Sequence, residues 1–252
     1  MSVQPYLLHV TSRPKVVSED LYQKWYAEEH IPGIIKSQVA SRGMLFKESP
    51  SPADPTPKNP QKFLALYQTE YRECMKTANF LGTKKTSEMF PLEGGGKSIQ
   101  DNADFTPRYY ELVEVFDPKE LGNSKLAWEL HDYFAIIDPI SAAAPTIMTV
   151  EIESSNLDDV DKWYKEEHFP MLAKAPGYRR GLRYRLGPQN PLQDDETYSK
   201  CAQYLTIHEL DDLNVLATDE VKAASETDWT KKVAGACSTF VPRGWTLQHF
   251  EE

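Results

Sequence analysis

Cysteine is scarce in this chain: Cys74, Cys201 and Cys237 are the only three in 252 residues. They form an odd, scattered set without a C-x-x-C pair. That pattern supports neither a disulfide framework nor a zinc site, and it suits a reducing, cytoplasmic setting. Long apolar runs are missing too. No stretch approaches the roughly 18 apolar residues of a membrane span, and the start MSVQPYLLHV lacks the charged flank and apolar core of a secretory leader. Positive charge is in deficit, with 28 Lys and Arg against 38 Asp and Glu and a formal net charge of −10. An acidic chain without a basic cluster argues against nucleic acid and anionic membranes as partners. The common catalytic templates are absent as well: no G-x-G-x-x-G, P-loop, G-x-S-x-G or H-E-x-x-H occurs. The triple glycine at 94–96 opens no helix of the phosphate-binding kind.

Aromatic residues are plentiful: 13 Tyr, 10 Phe and 5 Trp suit both packing and an aromatic-lined cavity. A phrase rich in them occurs twice. Residues 25–33 read WYAEEHIPG and residues 163–171 read WYKEEHFPM. Trp25 and Trp163, His30 and His168, and Pro32 and Pro170 share one offset of 138. Thr11 and Thr149 share it too, as do Arg42-Gly43 and Arg180-Gly181. The echo implies an internal duplication of a unit of roughly 110–125 residues.

The phrase predicts a helix that packs through its tryptophan. Leu21, Trp25 and Glu28 or Glu29 share one stripe, and Tyr26 and His30 lie one turn apart on its flank. Pro32 and Pro170 are expected to end their helices, which places each histidine in a last turn facing unpaired carbonyls. Strands are expected at 6–13, 42–48, 62–70 and 109–116, with helices at about 18–31 and 72–89. The five-proline segment 48–61 is a surface loop. The second half repeats the order. Its strands are expected at 146–153, 179–186, 201–210 and at the C-terminus from Val241, and its helices at 157–169 and about 212–233. Residues 117–145 link the halves, and SKLAWELHDYFAII within them reads as an extra helix or as irregular core around Trp128, Tyr133 and Phe134.

A βαββαβ unit is the ferredoxin-like motif, an antiparallel sheet with both helices on one face. Two units can cover each other's bare sheet faces. The fold class is therefore α+β: two ferredoxin-like repeats, 1–116 and 146–252, packed sheet to sheet in one chain. Tandem units carrying W-Y-x-E-E-H-x-P resemble the dimeric α/β-barrel superfamily, and most of all its EthD-like branch. The resemblance implies that the two repeats close one intrachain α/β barrel with a small-molecule pocket, and its members include cofactor-free enzymes. It leaves the reaction open, since the superfamily includes monooxygenases, polyketide cyclases, isomerases, decarboxylases and proteins without known activity.

The candidate catalytic residues are His30, His9, Tyr26, Glu29, His168 and His208. Imidazole titrates near neutrality and suits general acid–base work, with Glu29 or Tyr26 to orient it. A structural role as helix-end or core histidine competes for each. His9 lies on the first strand with Leu7 and Thr11, on the face away from Leu8 and Val10. The constant offset makes Ile147 its counterpart, so His9 and His30 are expected to converge in the first half alone. His208 follows Tyr204 and Thr206 on one strand face, and His249 follows Trp245 and Leu247. Arg183 and Arg185 are expected on a solvated face. No metal site is expected, because adjacent Glu29 and His30 diverge on a helix. The expected protein is a cofactor-free enzyme acting on a small apolar or aromatic molecule by cyclisation, dehydration or decarboxylation. Oxygen insertion on an electron-rich aromatic and a non-catalytic or stress-related binding barrel are the alternatives. The expected assembly is a monomer that closes its own barrel, or a loose homodimer.

Overall fold

The computed structural model describes residues 3–52, 54–90, 96–119 and 143–252. Eight strands form one closed antiparallel barrel: β1 (Tyr6–Pro14), β2 (Arg42–Glu48), β3 (Phe63–Thr69), β4 (Ala103–Phe116), β5 (Thr146–Ser154), β6 (Tyr178–Leu186), β7 (Tyr204–Leu210) and β8 (Cys237–Glu251). The order around the barrel is β1-β3-β2-β8-β5-β7-β6-β4. The first half thus runs β4-β1-β3-β2 and the second β8-β5-β7-β6. β4 pairs with β6 and β2 with β8 to close the ring within one chain. The extra-helix reading of 124–137 lies outside the described residues. No helix among the described residues is long and apolar enough to cross a membrane.

Strand alternation sorts side chains into three cores. Leu7, Leu64, Leu66, Phe46, Ile207 and Trp245 belong to the set that fills the barrel interior. Leu8, Val10, Ala65 and Tyr67 face outward to the first-half helix, and Val150 and Ile152 do the same in the second half. Inside the barrel, the gap bounded by Leu7, Phe46, Ile147 and Tyr184 measures about 20 Å³, too little for the ligand that the resemblance places there.

The repeated phrase does not end its helix. Helix Glu19–Trp25 widens into a π-helical turn over Tyr26–His30 and continues as Ile31–Lys36. The second half does the same over Leu157–Trp163, Tyr164–His168 and Phe169–Leu172. Pro32 has no N–H and would clash with a carbonyl one turn back. The wide turn resolves this: the Ile31 N–H donates to the Tyr26 carbonyl five residues earlier, and Phe169 donates to Tyr164. Turns of this kind are frequent at functional sites.

The residue after each histidine packs against the repeated glycine. A Cβ on Gly43 would lie 2.6 Å from Ile31 Cγ2, and one on Gly181 would overlap the Phe169 ring. Ile31 and Phe169 are fully buried and have no room to retreat. Gly43→Ala and Gly181→Ala are each expected to destabilise the fold by about 1–3 kcal/mol through overpacking. Urea midpoints check this, and a wild-type midpoint in Gly181→Ala would refute it.

The second helix differs between halves. The expected helix at 72–89 is replaced by a short 3-10 turn Cys74–Lys76 and a single turn Ala78–Leu81. Thr77 caps that turn and Gly82 closes it, and threonines at 83 and 86 do not favour renewed helix. In the second half the expected helix at 212–233 is broken but present. A 3-10 turn Leu213–Ala217 leads to helices Asp219–Glu226 and Asp228–Ala236, capped by Thr218 and Thr227.

Candidate functional site

The missing helix leaves space. A cavity of about 530 Å³ opens between the outer sheet face and the helix of the first half, within the range of small-molecule sites. Leu8, Val10, Ile34, Phe80 and Phe105 supply apolar wall, and Tyr26, His30 and Tyr67 lie among the lining.

His30 is held by its own helix. The π turn brings it over Trp25, with ring centroids 4.6 Å apart and planes 24° from parallel. Tyr26 meets it edge-on at 5.2 Å, and Tyr67 edge-on from β3 at 6.2 Å. The buried tryptophan is therefore the stacking partner of His30, and Tyr26, one turn back, meets its edge. Burial, and then the nearby positive charge of Lys85, push the His30 pKa down to about 4. The imidazole is neutral at pH 7 and can accept a proton. Burial pushes Tyr26 up to about 12 and raises Tyr67 well above the usual phenol range. Both are neutral donors. The Tyr67 hydroxyl is buried and has no hydrogen-bond partner among the described residues. Glu29 is half-buried and does not line the cavity.

The equivalent place in the second half is filled. Trp163 stacks on His168 at 4.1 Å, but here helix Asp219–Glu226 covers the imidazole. The Ala224 carbonyl bonds to His168, while burial still lowers its pKa to about 4. The Trp163 indole donates to Thr230 Oγ1 at 3.0 Å, Thr230 donates to the Ala224 carbonyl at 2.7 Å, and Thr227 donates to Glu167 at 2.6 Å. Phe116 stacks on Phe169 at 4.9 Å. His208 completes this packing, with Nδ1 3.2 Å from the Tyr178 hydroxyl and its ring 6.3 Å from His168.

His9 does not join His30. It points into the barrel on the opposite face of β1 and meets the Tyr110 ring edge-on at 5.6 Å. Burial, Arg108 and Arg243 lower its pKa well below the usual range. Its counterpart is also not Ile147. His9 pairs with Arg108 across β1 and β4, and Thr149 pairs with Arg243 across β5 and β8. The second half has two fewer residues between strand and helix, so the constant offset fails on this strand. Thr149 accepts from the Trp245 indole at 2.9 Å, matching the His9–Tyr110 contact. Likewise Tyr67 matches His208, since each pairs with the repeated glycine, Gly43 or Gly181.

Arg183 is buried, contrary to expectation. It bridges Glu114 at 3.0 Å and Asp161, with its guanidinium 4.5 Å from the Tyr164 ring. Arg185 is exposed, as expected, and pairs with Glu111. A register shift between Leu45 and Phe46 pairs His249 with Leu45 and turns it off the Trp245 and Leu247 face. Two lining residues escaped sequence reasoning. Tyr67 was detectable from alternation in KFLALYQTE, whereas Lys85 lay in a segment wrongly expected to be helical.

No family model matches the chain. It is similar to "Core atranone cluster (CAC) protein 1" of Stachybotrys chlorohalonatus, with 24% identity over 226 residues, 84% of this chain and 85% of that one. Among solved structures, a chlorite dismutase variant from Candidatus Nitrospira defluvii superposes with a TM-score of 0.54 at 10% identity, covering 98% of this chain and 93% of its own. An anthrone oxidase-like protein superposes with a TM-score of 0.50 at 12% identity, with the same coverages. These neighbours are dimeric α/β-barrel proteins, and the likeness at such identity is one of fold.

Proposed function

We propose that the first-half cavity is the active site of a small-molecule enzyme of secondary metabolism, with His30 as its proton-transfer group. The chain is read as two ferredoxin-like, EthD-like repeats, 1–116 and 146–252, joined by 117–145, with an open pocket against the helix of the first. One observation carries this reading. The same Trp–Tyr–Glu–Glu–His phrase lines about 530 Å³ of space in one half, whereas in the other its half-buried histidine is bonded to the Ala224 carbonyl of helix Asp219–Glu226. The curated relative's name points toward a biosynthetic cluster.

The chemistry follows from the wall. An apolar or aromatic ligand displaces water from the cavity, which strengthens every polar contact inside it. Neutral His30 takes a proton from an activated carbon of the ligand. The imidazolium formed is a strong acid in this setting and returns the proton to an oxygen or carbon nearby. Tyr67, with its hydroxyl unpaired, donates to a ligand oxygen as charge builds on it. Cyclisation and dehydration use these steps; in decarboxylation the proton that His30 takes is the carboxylic acid's, and it is returned to the carbon that carbon dioxide leaves.

The test is a product analysis. A small-molecule extract of a gene-disrupted source strain is incubated with the purified protein and followed by mass spectrometry. A product that is isomeric, one water lighter or one carbon dioxide lighter than its substrate is expected. A product one oxygen heavier would replace the reading by oxygen insertion. No change in any component, with a compound retained by the protein, would replace it by a binding barrel.

A further inference from the structure

The cavity has a charged mouth. Lys76, Lys84 and Lys85 are among its lining residues, and among the described residues no carboxylate lines it. This is unexpected for a chain of net charge −10. Lys76 is engaged by Glu73. Lys85 forms no ion pair among the described residues, and it is held in place by other means. Its Nζ donates to the Phe80 carbonyl at 3.1 Å and to Thr83 Oγ1 at 2.9 Å, and it sits 4.2 Å from the centre of the Phe80 ring. An ammonium group has three donors, so one remains for a ligand. Deeper in the cavity, the buried Tyr67 hydroxyl is also unpartnered.

We propose that Lys85 anchors an anionic group, so that the ligand is an apolar, ring-sized molecule carrying one ionised acid oxygen, as a carboxylate or enolate does. The apolar body lies against Leu8, Val10 and Ile34, a neutral oxygen meets Tyr67, and the anion meets Lys85 at the mouth. Lys85 is close enough for its charge to act on His30, so an anion at Lys85 also restores basicity to the imidazole. This specificity role rests on the first-half cavity being the ligand site, but it does not require that His30 be catalytic.

Two fluorescent probes of similar size separate charge from shape: anilinonaphthalene sulfonate, which is anionic, and phenylnaphthylamine, which is neutral. Both are expected to bind the intact protein, and both to be displaced in Ile34→Trp, which fills the cavity. Lys85→Met keeps the apolar stem of the side chain. It is expected to raise the Kd of the sulfonate probe about tenfold, equivalent to about 1.4 kcal/mol, and to leave the neutral probe within about twofold. Lys85→Arg is expected to retain most of the discrimination, and naphthoate to compete better than naphthalenemethanol. An equal change for both probes in Lys85→Met would overturn the assignment. So would binding that survives Ile34→Trp, or no binding by either probe. Normal discrimination in a protein with no turnover would sink the catalytic reading alone.

Discussion

Replacing His30 by alanine is expected to lower turnover by about 10²–10⁴-fold, the usual range for loss of a general acid or base. The fall should appear in kcat and not chiefly in KM, because the imidazole acts on a proton in flight and the apolar wall does the binding. Replacing His168 by alanine is expected to leave turnover nearly intact. Its ring is covered by helix Asp219–Glu226 and bonded to the Ala224 carbonyl, so its loss should cost about 1 kcal/mol of stability as an unmade hydrogen bond. The two variants carry the same chemical change at repeated positions, which makes each the other's control. With a His30 pKa of about 4, the free enzyme's kcat/KM should be flat through neutral pH. Equal turnover losses in the two variants would remove the asymmetry between the halves. Full activity in His30→Ala would transfer the chemistry from His30 to Tyr67.

Much of the architecture was legible because the same sequence pattern occurs twice along the chain. The strands are short apolar runs bounded by Pro- and Gly-rich loops, and the barrel accounts for their being apolar on both faces: one face meets the interior and the other a helix. The site was less legible, for three physical reasons. First, an ungapped echo cannot register a loop shortened by two residues, so His9 was matched to Ile147 when strand pairing matches it to Thr149. Second, a cavity is defined by what is missing. Segment 72–89 has helix-compatible composition, and the placement of Thr77, Gly82 and the threonines after it confines it to two short turns. Third, a buried charge is visible only with its partners in place. Arg183 looks like a surface residue until Glu114 and Asp161 converge on it from another strand and a helix. His9 and His30 show the value of alternation and its limit. It correctly aimed His9 into the barrel, but the cavity lies on the other side of the sheet.

Acid is expected to destabilise the protein through its buried histidines, and His208 in the filled half is the most strongly shifted of those with a value. His208 is almost fully buried among Tyr164, His168, Phe169 and Tyr178, with Arg183 near enough to add to the repulsion. Burial first, then the charges of His168 and Arg183, hold its pKa down at about 3. In the unfolded chain a histidine titrates near 6.5. Above that value neither state binds the proton, and the residue contributes no pH dependence. As the pH falls below it, the unfolded state takes up the proton and the folded state refuses it until about 3. Stability is therefore lost progressively across this window. At about pH 4.5 the loss from His208 alone is on the order of 2–3 kcal/mol, a large share of a typical 5–15 kcal/mol total. His168, with a pKa of about 4, adds to it in the same direction, discounted for its partial exposure. Replacing His208 by phenylalanine removes the titrating group and keeps a ring against Tyr178. Urea midpoints of wild type and His208→Phe at pH 7 and pH 4.5 measure the difference. The variant should lose about 2–3 kcal/mol less than wild type on acidification. An unchanged pH slope would show that the proton is taken up elsewhere and that His208 is not held neutral by its surroundings.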